Sequence, residues 1–148
     1  MEDLWPADIK NVTTKPPVVI LKEQAALIGA KTDNLLEAEV TPAPQLASSG
    51  TRDFCYVFEL VAMSLGPYRY RLFSIGYGVR LYPVRIDVDR EMIAELGEDP
   101  LSDLLANNED EFKSVLRKIF GSKKTRQVVS GILAQVMEPT MDEVNTAP

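Results

Sequence analysis

The side chains that most often carry chemistry are scarce here: the 148 residues include no histidine and one cysteine, Cys55. Without imidazole, Ser-His-Asp and Cys-His catalysis, imidazole proton shuttles and histidine-based zinc or iron sites are excluded. One cysteine excludes an internal disulfide, a Cys₄ zinc site and an iron–sulfur cluster. The chain also lacks G-x-S-x-G and S-x-x-K nucleophile motifs, and it has neither a G-x-G-x-x-G nor a Walker sequence to cradle phosphates. Cys55 lies in an apolar run, where a thiol behaves as a small hydrophobe. No catalytic group, resident metal or cofactor is expected from these residues.

What remains is carboxylate, amine and guanidinium chemistry. Glu59 interrupts the apolar run 56–65, where an unpaired carboxylate would be costly or would take up a proton. The plainer reading is that it reaches the sheet rim or pairs with an arginine. Asp87 and Asp89 share one face of a strand end and, with Glu59, are weak candidates to hold a hard cation such as Mg²⁺. Asp89 is also a natural cap for the helix that follows, with Glu91 in its first turn. Glu111-Phe112-Lys113 has the E-x-K letters of restriction-type nucleases, but on a helix.

Cations form two groups. In Tyr68-Arg69-Tyr70-Arg71 the strand period puts both tyrosines on one face and both arginines on the other. A two-residue loop at Gly66-Pro67 would set Met63 opposite Tyr70 and Ala62 opposite Arg71. The arginine face would then continue into Phe73 and Ile75, and Arg80 and Arg85 would extend it. Arginine beside aromatic groups is typical of protein interfaces, so Arg69, Arg71, Phe73, Arg80 and Arg85 form the expected partner-binding surface. The second group, Lys118, Lys123, Lys124 and Arg126, follows a segment from Asp87 to Glu111 holding ten acids against Arg90 alone. Mutual neutralisation explains that contrast more simply than nucleic-acid binding. The net charge of −6 also disfavours nucleic acid and anionic membrane.

The elements that position these residues follow from period and punctuation. Residues 1–15 read as an N-terminal arm on which Leu4, Trp5 and Ile9 are apolar, with Trp5 expected to dock. Pro16-Pro17 opens a helix over 17–31 with a broad apolar face. Strands are expected over 36–41, 53–65, 68–75 and 79–89, the second covered on both faces, the fourth broken or bulged at Pro83. Short turns at Gly66-Pro67 and 76–78 make them an antiparallel meander. Helices follow over 90–96, as one or two turns within 100–106, over 109–120 capped by Asn107 or Asn108, and over 123–137 capped by Ser122. Residues 138–148 read as a flexible polar tail.

The expectation is therefore an α+β, two-layer domain spanning residues 16–137, with a four-stranded antiparallel meander, one N-terminal helix and two to four C-terminal helices. No stretch reaches the ~20 apolar residues of a membrane helix. The start, MEDLWPADIK, lacks the basic and apolar regions of a signal peptide, and a lone cysteine suits a reducing cytoplasm. Function is expected through contact with another protein, as an adaptor, inhibitor or immunity-type factor, with a homodimer as one form. The alternatives are a Mg²⁺-dependent hydrolase using Asp87 and Asp89, and a nucleic-acid-associated protein using the lysine cluster.

Overall fold

Prolines and short polar caps set the helices. The structure, a computed structural model, describes residues 1–47 and 53–137. Pro17 opens α1 (Pro17–Lys31), where its missing N–H costs nothing. At the far end, Thr32 Oγ1 donates to the Ile28 carbonyl at 3.0 Å and accepts the Leu36 N–H at 3.2 Å, turning the chain into the sheet. Asp89 caps α2 (Arg90–Leu96) by accepting the Met92 N–H at 2.8 Å, and Gly97 ends it in a left-handed conformation that glycine adopts without strain. Asn108 caps α3 (Glu109–Phe120) through the Glu111 N–H at 2.9 Å, and Glu111 accepts the Asn107 N–H in return. Ser122 Oγ accepts the Thr125 N–H at the start of α4 (Lys123–Met137). The four helices of the described residues begin where the sequence places them, and α1, α2 and α3 also end there.

The sheet is open, antiparallel and strictly sequential in order: β1 (Glu37–Pro42), β2 (Phe54–Ala62), β3 (Tyr68–Tyr77), β4 (Val84–Asp87) and β5 (Leu105–Ala106). The class is α+β as expected, with five strands rather than four. The extra one, β5, falls where a helical turn is expected. Asn108 must be extended to cap α3, and the extended approach lets Ala106 pair with Val84. The fourth strand is shorter than 79–89, because residues 78–81 form a turn and Pro83 brings no ladder donor. Asp89 is taken by its cap. Gly76 and Tyr77 extend β3 instead of forming a turn. The expected 45–52 connection falls partly, and the 138–148 tail wholly, outside the described residues.

Two corrections bear on the arginines. The Gly66-Pro67 connection is not a two-residue loop: Met63–Leu65 is a 3₁₀ turn, so Ala62 pairs with Tyr68, Leu60 with Tyr70 and Glu59 with Arg71. One pair further on, Phe58 faces Phe73, so Leu72 is an extra residue in β3. Such a bulge swaps the two sides of a strand. Tyr70, Phe73 and Ile75 therefore share the helix side with Phe58 and Leu60. Arg69, Arg71 and Ser74 take the other.

On the helix side lies the core, including Ile20 and Leu21 of α1, Phe73 and Ile75 of β3, and Phe112 and Ile119 of α3. Phe58 stacks on Phe73 at 5.1 Å between ring centroids, and Phe120 closes on both at 5.4 and 6.0 Å. On the other face of β2, Cys55 and Val61 are also buried, while Val57 and Glu59 are partly exposed on the arginine side. No helix among the described residues is long and apolar enough to cross a membrane. Phe73→Ala is expected to lower stability by about 3–5 kcal/mol and Arg71→Ala by no more than about 0.5 kcal/mol, measured by urea denaturation. Comparable losses at the two positions would contradict this assignment of faces.

Candidate functional site

Charge pairs fill the arginine side of the sheet. Arg69 bridges Glu39 of β1 and, at 3.7 Å, Glu59 of β2, and the Glu39 contact raises its pKa above the ordinary guanidinium value. Glu59 thus pairs with an arginine, one of the two plainer readings, its side chain 23% exposed. Arg71 donates to Ser74 Oγ at 3.1 Å. Arg85 pairs with Asp87 at 2.9 Å and with Asp103 at 3.6 Å. The five residues expected to form one partner surface are not assembled into one. Phe73 is 2% exposed in the core, and Arg80 sits in the turn beyond the opposite end of β3 from Arg69 and Arg71.

The remaining candidates are also used locally. Asp87 is held by Arg85 and Asp89 by its cap, and among the described residues no three His, Cys, Asp or Glu side chains converge as a metal site. In the E-x-K letters, Glu111 serves the α3 cap, Phe112 is buried and Lys113 pairs with Glu109 at 2.8 Å. That pair raises the Lys113 pKa and lowers that of Glu109. Lys124 reaches Glu91 at 3.1 Å and Asp89 at 3.6 Å, and its hydrogen bond to Glu91 raises its pKa. The Glu95 carboxylate accepts the Lys123 and Lys124 backbone N–H groups. So α2 and the α4 start neutralise one another. Lys118 and Arg126 are exposed.

The feature missed in the sequence is a cleft of about 530 Å³ between α1 and α4. Leu27, Ile28 and Lys31 form the α1 wall; Arg126, Val129 and Leu133 form the α4 wall. Phe58, Leu60 and the bulge residue Leu72 make the floor, with Phe120 at its base. The lining is mainly apolar, and among the described residues its charges are Lys31 and Arg126, with no acid contributing. A second groove shares Gln24 and Phe120 with it and adds Lys113 and Arg117 between α1 and α3. The sequence signal was present in α1. Its apolar residues exceed one packed stripe: Ile20 and Leu21 are buried, while Leu27 is 50% exposed at the cleft.

Around the other end of α1 the phenols are unusual. Tyr77 is pushed well above pH 10, first by burial and then by Tyr56, whose ring lies 6.1 Å away. Tyr82 is raised by burial and then by Glu109, and its hydroxyl is buried without a partner among the described residues. A raised folded pKa favours the neutral phenol, so its contribution is intact below pH 10 and is lost as the pH climbs toward the folded value. Stability should fall above pH 10 with the appearance of phenolate absorbance, and Tyr77→Phe should flatten that fall. Tyr82→Phe removes an orphaned hydroxyl and is expected to raise stability near neutral pH by about 1 kcal/mol in urea denaturation. Destabilisation would show that this hydroxyl has a partner in solution.

Compared with known proteins, the chain matches no family model, no curated protein and no solved structure.

Proposed function

We propose that this chain works by contact, binding an acidic, apolar protein segment in the α1–α4 cleft, as a small cytoplasmic adaptor or inhibitor would. The observation carrying this is a wide apolar cleft whose charges among the described residues, Lys31 and Arg126, are both positive. Apolar walls supply the contact area, and the rim cations select the sign of the ligand and speed its approach. An amphipathic helix laid in a groove uses these same two terms. The absence of histidine and of nucleophile motifs favours a binding role over catalysis. This reading replaces the arginine strand surface, because Phe73 is in the core and Arg69 and Arg85 already hold acids.

The test is a titration of the full chain with a short helical peptide built from Leu, Trp, Asp and Glu, against a counterpart carrying Lys in place of the acids. Chemical-shift changes from the acidic peptide are expected at Leu27, Val129 and Leu133. Lys31→Glu with Arg126→Glu should weaken binding about tenfold or more without changing the melting temperature. Equal binding of the two peptides, or occupation of the cleft by a medium-chain fatty acid but by neither peptide, would overturn the reading.

A further inference from the structure

We propose that the occupant of the cleft is the N-terminal arm of a second copy, two chains exchanging residues 1–12 reciprocally. This rests on reading the cleft as a protein-binding site and names what binds there. Residues 1–15 are all exposed, including Leu4 at 83%, Trp5 at 73%, Ile9 at 62% and Val12 at 82%. Trp5 thus does not dock on its own body, contrary to the sequence expectation. The arm nonetheless has local order: the Trp5 N–H donates to Asp3 Oδ1, the Ile9 N–H to the Pro6 carbonyl and the Asn11 N–H to the Asp8 carbonyl. These turns suit Trp5, Ile9 and Val12, whose spacings of four and three residues align on one side of a helical turn.

Charge and length both match the cleft. The first ten residues carry Glu2, Asp3 and Asp8 against Lys10, an acidic and apolar segment of the kind the cleft should select. The rim offers Lys31 and Arg126, with Arg117 in the adjoining groove. Wound as helix, residues 5–12 measure about 10 Å, as does the cleft wall from Arg126 to Leu133. Burying one tryptophan removes roughly 150–250 Å² from water. In the single chain the arm stands clear while its own cleft is open, although it is tethered to α1. A second copy fills both clefts and exposes neither arm. The exchange closes as a dimer instead of growing into a filament.

Trp5 is the sole tryptophan, so its emission reports the arm directly. Light-scattering mass and Trp5 emission are followed together as the full chain is concentrated. A doubled mass with a concentration-dependent blue shift is expected. Charge-swapped chains make the decisive test, since Asp3, Asp8, Lys31 and Arg126 are all exposed. Chain K31E/R126E and chain D3K/D8K should each dimerise about tenfold or more weakly than the original, and their mixture should regain both the mass and the blue shift. A concentration-independent blue shift in a monomer would assign the cleft to the chain's own arm and overturn the exchange. A dimer with red-shifted Trp5 emission, or no recovery on mixing, would overturn it too. A monomer that still binds the Leu/Trp/Asp/Glu peptide defeats the exchange alone; failure of that peptide as well defeats the cleft reading with it.

Discussion

Between the pairs Phe58–Phe73 and Glu59–Arg71 the second and third strands fall out of step by one residue, and both sides of the sheet depend on that slip. Because side chains alternate with a period of two, an extra residue exchanges the destinations of everything beyond it. Leu72 enters the floor of the cleft, Phe73 joins the stack with Phe58 and Phe120, and Arg71 turns toward Ser74. A continuous alternation would have carried Phe73 to the arginine side and left the aromatic cluster without its central ring. Phe120 anchors α3 on this cluster, so that helix takes its footing from the bulge.

The two faces of the sheet divide the work. The helix side is apolar and continuous from Ile20 to Ile132, except where α1 and α4 diverge. On the other side Glu39, Glu59, Arg69 and Arg71 occupy one end, and Arg85, Asp87 and Asp103 the other. Such exposed pairs contribute little each, typically under about 1 kcal/mol, but they satisfy charges that would otherwise offer themselves to ligands. The acid-rich α2 does the same for the start of α4. Lys31 and Arg126, outside these arrangements, lie at the cleft.

What the sequence disclosed and what it withheld have physical causes. Helix limits were legible because Pro17, Asp89, Gly97, Asn108 and Ser122 act within a turn of their own positions. The meander was legible from its brief connections. The register was not, since whether Met63–Leu65 coils or pairs depends on strands already in place. β5 was hidden for a related reason: two residues carry no periodicity, and only the extended cap at Asn108 delivers them to β4. A cleft between the first and last helices is a tertiary property. Leu27 hinted at it by exceeding the stripe that α1 buries, whereas nothing local distinguishes Val129 or Leu133 from core residues.

The open sheet also has to end somewhere. Along its first margin β1 carries Glu37 and Glu39 and finishes at Pro42, which cannot donate to a further ladder. The opposite margin steps from the Tyr68–Phe73 half of β3, which has no β4 partner but carries Arg69 and Arg71, to β5, only two residues long. Neither border offers a long, uncharged template, so stacking of these molecules strand-to-strand into cross-β polymers is discouraged at both borders.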